Sequence, residues 1–103
     1  MSVHNRVENL LHQNHQKAKE EGTLRAEIHA DELQGEERTH HLSRKDALTL
    51  LKAVLDHSRE WYVLGDVTSY EGELIGYQYA DAEGAARSHQ HSGHDGGAYE
   101  NPL

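Results

Sequence analysis

Ten of the 103 residues are histidine, the side chain that both binds metals and changes charge near neutral pH. They gather in two places. The first group is His4, His12 and His15, with Glu8 among them. On a helix these four side chains leave from one stripe about 80° wide. Separations of three and four residues are those by which a helix chelates zinc, nickel or copper. No HExxH motif occurs, so no carboxylate is placed as the general base of a hydrolytic zinc site. A polar helix flank that happens to be rich in histidine outweighs a native metal centre here. The second group is the stretch SHQHSGHD, Ser88 to Asp95, which holds His89, His91 and His94. Short His-rich tracts can hold metal, but a flexible tract loses chain entropy in closing round an ion. The expectation is adventitious zinc, nickel or copper and no native cofactor. His40 and His41 are adjacent, would point apart on a helix or a strand, and are given no role.

Other chemistry finds little support. The chain has no cysteine, which excludes disulfides, thiolate zinc sites and a cysteine nucleophile. None of its serines, at 2, 43, 58, 69, 88 and 92, lies in a G-x-S-x-G turn. Asp66 neighbours Gly65, but one acid without a partner does not make an active site. No glycine-rich phosphate loop is present. An enzyme is the least expected class.

Charge narrows the partners. Eighteen acidic against ten basic side chains give a formal charge of −8. That opposes unspecific nucleic-acid binding, which draws its affinity from Lys and Arg on phosphates, and it opposes an anionic membrane surface. A basic or nucleic-acid-binding protein is the better-matched partner. The N-terminal MSVHNRVENLLHQNHQ lacks the apolar core of a signal peptide, and no run approaches the ~20 apolar residues that span a bilayer. A soluble, cytoplasmic protein is expected. Its core is thin: Leu, Ile, Val and Phe number 19, and eleven of them fall between Leu42 and Ile75. A core this small is often supplemented by a second subunit, so a homo-oligomer is expected.

The elements that would position these groups can be read from periodicity. Val3, Val7, Leu10, Leu11, Asn14 and Ala18 form one stripe at helical spacing, with Gly22 as a stop. Asn14 could fix the register of a helix pair, though a partly solvated asparagine on a marginal helix is the simpler reading. In TLRAEIHADEL, Leu24, Ala26, Ile28 and Ala30 alternate with Arg25, Glu27, His29 and Asp31, the period of a half-buried strand; the residue types also suit a helix. Gln34 to His41 reads as a loop. Ser43 and Asp46 have the spacing of a capping box. Ala47, Leu48, Leu51, Val54, Leu55 and Ser58 then share a helix face, which Leu50 widens to about 160°. From Trp61 to Ala80 two strands flank Tyr70-Glu71-Gly72, a three-residue loop with Gly72 in the left-handed conformation. That register pairs Val67 with Ile75, Gly65 with Tyr77 and Val63 with Tyr79, all facing one side with Trp61, and Gly65 and Gly76 leave space beside the rings. Beyond Ala80 there is no periodicity and no apolar residue larger than alanine until Tyr99, and residues 81–103 are expected to be a disordered tail.

The sum is a small α+β domain over residues 1–80: a helical arm (1–22), one strand, a central amphipathic helix, and a C-terminal hairpin, with 43–80 the best-defined part. The order helix, strand, helix, ribbon is similar in outline to winged-helix modules, which implies a DNA-binding regulator as the alternative function. Such a module would gather basic side chains on its recognition helix, whereas Arg44, Lys45, Lys52 and Arg59 are diluted by Asp46, Asp56 and Glu60. The favoured reading is a non-enzymatic acidic interaction protein, an adaptor or inhibitor of the kind phages and plasmids carry as accessory proteins. Its contact residues would be Leu50, Trp61, Tyr62, Leu64, Tyr70 and Leu74, the last four on the outer face of the hairpin.

Overall fold

The computed structural model describes residues 3–34 and 42–94, with side chains through residue 88. Helix α1 spans Val3–Glu20 and buries Val7, Leu10, Leu11 and Ala18, the expected stripe. It ends where Gly22 takes a positive φ of 80°. There the Gly22 N–H bonds the Lys19 carbonyl and the Thr23 N–H bonds the Ala18 carbonyl, satisfying the last turn. Asn14 is partly exposed, as expected, and its side chain is also bonded. Its amide donates to the Glu27 carbonyl at 3.0 Å and to Glu32 Oε1 at 2.8 Å, so it fastens α1 to the segment that follows it in the chain.

That segment takes both conformations its residues allow. Strand β1 is Ala26–His29 and helix α2 is Ala30–Gln34. Glu32 decides the switch: its carboxylate accepts from the His29 N–H at 3.0 Å, the backward half of a capping box. Ala26, Ile28, Ala30 and Leu33 are buried, while Leu24 is exposed. Most of the expected Gln34–His41 loop, with His40 and His41, lies outside the described residues.

Helix α3 spans Arg44–His57, and its N-cap is Ser43, whose hydroxyl accepts from the Asp46 N–H at 3.0 Å. Ala47, Leu51, Val54 and Leu55 enter the core, and Leu48 and Leu50 pack against it. Leu50 therefore widens the face that α3 turns to its own domain. Ser58 is not inside the helix. It is the C-cap, and its Oγ accepts from the N–H groups of Glu60 and Trp61, which sets the direction of the chain into the next strand.

Strands β2 (Tyr62–Thr68) and β3 (Leu74–Ala80) form the hairpin. Gly72 has φ 88° and donates to the Ser69 carbonyl, and Ser69 N bonds the Glu73 carbonyl at 2.7 Å. The three-residue loop is thus as expected. The register departs from expectation between its ends. Thr68 faces Leu74 and Val63 faces Tyr79, but Val67 faces Gly76, Asp66 faces Tyr77 and Gly65 faces Gln78. An extra residue at Ile75 on β3 is cancelled by one at Leu64 on β2, so two bulges displace only the middle. The reason for Gly76 also changes. A Cβ there would collide with the backbone of β1 at Ile28 and His29, so the glycine admits a strand rather than a ring; one at Gly65 would meet only Gln78 at ordinary distance.

The sheet is antiparallel in the order β1-β3-β2. Helix α1 packs on β1 and α2 packs on α3. The centre of the core is Val7, Leu11, Ile28, Leu33, Leu51, Leu55 and Tyr79. A fourth helix, α4, runs Ala82–His94, over the first part of the expected disordered tail 81–103, and the rest of that tail lies outside the described residues. Asp81 caps it, accepting from the Gly84 N–H at 2.8 Å. Gly84 and Ser88 are both buried, and Ser88 Oγ accepts from Arg25 Nε at 3.2 Å. Small residues four apart let this helix approach the domain closely. Large apolar side chains are not what holds it. No helix among the described residues is long and apolar enough to cross a membrane.

Candidate functional site

The histidine stripe of α1 does not act as one unit. Each histidine is given a separate carboxylate. His4 Nε2 lies 3.8 Å from Glu8, His12 Nε2 lies 3.1 Å from Glu60, and His15 Nε2 lies 3.3 Å from Asp81. Two of these partners come from elsewhere in the chain, one from the α3–β2 connection that Ser58 orders and one from the cap of α4. Between them sits Trp61, only 3% exposed. The rings of His12, His15 and Tyr79 all meet it edge-on, with centroids 5.0, 5.0 and 5.3 Å away. The Trp61 indole N–H is buried and has no hydrogen-bond partner among the described residues. The half-exposed His12 and Glu60 lie at the rim of this aromatic cluster, and His15 is deeper.

Glu8, His12 and Glu60 converge. One donor atom from each lies within 4.8 Å of the others. Of the four residues the helical spacing singled out, Glu8 and His12 thus meet at one point. His4 stands one turn away beside Glu8, and His15 turns to Asp81. Glu60 had no local signal, because its approach to α1 depends on the fold. His89, His91 and His94 fall on α4, but their side chains lie outside those described.

The expected contact residues separate in the same way. Trp61 is in the core and is not offered to a partner. Leu50 and Leu74 are partly buried and packed against the core, and Leu64 is half-buried at its bulge. Tyr62, 45% exposed, and Tyr70, fully exposed, stand open. They mark the two ends of β2, whose outer edge pairs with no strand among the described residues. Along that edge Asp66 and Thr68 are exposed, and Glu60 and Glu71 flank the two tyrosines.

The basic side chains of α3 are largely committed. Arg44 Nη1 is 3.1 Å from Glu73 on the hairpin, and Lys52 Nζ is 3.5 Å from Asp56 and 6.0 Å from the centre of the Tyr77 ring. A groove of about 470 Å³ lies between α1 and β1, lined by Asn14, Lys17, Glu21, Arg25, Glu27 and Glu32 among others. Its polar groups already bond one another: Asn14 holds Glu27 and Glu32, and the Gln78 amide bridges Arg25 and Glu27.

Burial pushes the Tyr79 hydroxyl well above its ordinary range, with Glu32 adding to the effect, and it raises Tyr77 as well. Glu27 moves the other way: its hydrogen bond with His29 holds the carboxyl below its ordinary value, against the opposing effect of burial. None of these groups lies in an arrangement of acid, base and nucleophile. Compared with known proteins, the chain matches no family model, no curated protein and no solved structure.

Proposed function

We propose that this chain is a non-enzymatic, acidic protein-binding module that receives an extended basic segment of a partner protein along the outer edge of β2. The observation that carries this reading is the open edge itself. It is seven residues long, with an exposed tyrosine, Tyr62, at its start, another, Tyr70, just beyond its end, and Asp66 between them. An unpaired strand edge offers a ladder of N–H and C=O groups that an incoming strand can complete. Tyrosine is the residue that gives such a contact area at low entropic cost. The formal charge of −8, with Glu60, Asp66 and Glu71 beside the edge, selects lysine and arginine on the incoming strand. A cytoplasmic setting and an inhibitor-like role against a nucleic-acid-binding protein belong to the same reading. A second copy of the chain is the competing occupant.

The test is a photo-crosslinking residue placed at Tyr62 in one variant and at Glu20, at the end of α1, in a control. The expected result in the native host is an adduct with a basic protein from position 62 that disappears when Asp66→Lys is added. Adducts no stronger than the control, or an adduct only with the chain itself, would overturn the proposal.

A DNA-binding reading has one observation in its favour. Helices α2 and α3 pack together and are followed directly by the β2–β3 ribbon, the winged-helix order. Arg44 and Lys52 are then neutralised where a recognition helix needs them free. Titration with random-sequence duplex DNA at low salt separates the two, since low salt gives electrostatics their best chance. Binding there with a steep salt dependence would favour this second reading.

A further inference from the structure

We infer that Glu8, His12 and Glu60 form a divalent transition-metal site, best matched to zinc, with His4 as the fourth ligand. The site goes beyond the β2 edge, shares only Glu60 with its flank, and clamps α1 to the α3–β2 connection. Three observations converge on it. First, the three donor atoms already lie within 4.8 Å of one another. Zinc bonds to imidazole nitrogen and carboxylate oxygen are about 2.0–2.2 Å, which places tetrahedral donors roughly 3.3–3.5 Å apart. The contraction needed is at most about 1.5 Å, and half-exposed side chains can supply it by small rotations. Second, His4, Glu8 and His12 recur every four residues, so they stack along one face of α1. His4 Nε2 is 3.8 Å from Glu8 and can follow Glu8 onto the ion. Third, two carboxylates from distant parts of the chain are brought to one point, and their ion pairs are with His4 and His12. A divalent cation bound among them offsets the repulsion between Glu8 and Glu60.

The surroundings suit a ligand histidine. The His12 ring is held edge-on by Trp61, which is itself anchored between His15 and Tyr79. Trp61 directly follows Glu60, and Ser58 fixes both through their N–H groups. Two ligands are therefore tied to a buried aromatic cluster and not to free chain. One or two imidazoles with two carboxylates select zinc over magnesium or calcium, which take oxygen ligands alone. The exposure of His12 and Glu60 leaves the site open to water, so the role assigned is structural.

The experiment uses the full chain and zinc ions alone, followed by calorimetric titration and by the imidazole signals of the NMR spectrum. The variants are His12→Gln, Glu60→Gln, and a triple His89→Asn, His91→Asn, His94→Asn that removes the other histidine tract. One zinc should bind per chain with a saturable rise in Tm. Affinity should fall at least tenfold in His12→Gln and in Glu60→Gln, and stay within about twofold in the triple variant. Magnesium at the same concentration should leave Tm unchanged. Should either single variant fail to fold, the wild-type spectrum decides: the first equivalent of zinc must shift the His12 ring together with the Glu60 amide. Zinc affinity unchanged by His12→Gln and Glu60→Gln, or lost in the triple variant, would overturn the assignment. So would a first equivalent that moves only His89, His91 and His94.

Discussion

Tyr79, in β3, donates its hydroxyl to the main-chain carbonyl of Leu11, in the middle of α1, at 2.6 Å and 68 positions away in the chain. Both residues are fully buried. The bond explains how a helix with few apolar residues stays docked: its side chains supply part of the hold and its backbone the rest. Tyr79→Phe keeps the ring and removes the bond. We expect a loss of about 1–2 kcal/mol at pH 7, read by chemical denaturation. The alkaline side is more specific. Burial raises the hydroxyl's pKa in the folded state, so the folded form resists ionisation and the unfolded form does not. This contribution is intact below the ordinary tyrosine pKa near ~10 and declines as pH rises above it. Stability of the native chain should therefore fall more steeply between pH 9.5 and 11, on the order of the tyrosine pKa, than that of Tyr79→Phe. Parallel slopes would separate the bond from the pH dependence.

Two glycines of the hairpin should fail for different reasons. Gly72 has φ 88° with open space around it, so Gly72→Val costs backbone strain alone, about 1–3 kcal/mol. Gly76 would place its Cβ against the backbone of β1, and Gly76→Ala must push β1 off β3, at about 1–3 kcal/mol. Hydrogen exchange distinguishes them. The Gly76 variant should lose protection at the β1 amides that face β3, while the Gly72 variant should loosen the loop and spare β1.

Helix α4 rests on close approach. A Cβ on Gly84 would meet the Leu24 carbonyl at 2.8 Å and the Ala80 Cβ at 2.9 Å. Gly84→Val should therefore detach α4 from the domain, with little effect on the sheet. The expected signs are faster proteolysis after residue 80 and exposure of Ser88, whose bond to Arg25 breaks. Gly84→Ala, with one methyl, should show the same in weaker form. A protease pattern equal to the wild type would mean that the helix is held elsewhere.

What could be read from the chain alone divides along a physical line. Ser43 announced its helix because capping is a local contest between a side chain and the backbone. Gly72 announced the turn because only a left-handed residue closes it, and Ala26 and Ile28 showed a strand because one face was buried. The central register of the hairpin was not legible: turn chemistry fixes the ends, while the bulges at Ile75 and Leu64 cancel and leave no mark on the hydrophobic pattern. Helix α4 carries no large apolar residues to mark it; Asp81 as a cap and the pair Gly84 and Ser88 are its signals. The cluster of Glu8, His12 and Glu60 was half visible. Glu8 and His12 share a helix face by spacing, but Glu60 reaches them only because Ser58 turns the chain and Trp61 fills the gap beside α1.

Glu27 and His29 offer a test on the acid side. They are two apart on β1, so their side chains leave the same face, and His29 Nε2 lies 2.9 Å from Glu27 Oε1. The bond to His29 is the main reason the Glu27 carboxyl is held below its ordinary value, with Gln78 helping from β3 at 3.4 Å. A carboxyl whose pKa is lower in the folded state stabilises the fold above the ordinary glutamate pKa near ~4.3, and that contribution is lost as pH falls through the folded value. His29→Gln should raise the Glu27 midpoint toward the ordinary value, measured from the side-chain carboxyl carbon by NMR titration. In that variant burial outweighs the remaining bond from Gln78, so the midpoint should reach or pass the ordinary value, and Gln78→Ala in the same background should raise it further. A Glu27 midpoint that stays low in the double variant would show that neither partner sets it.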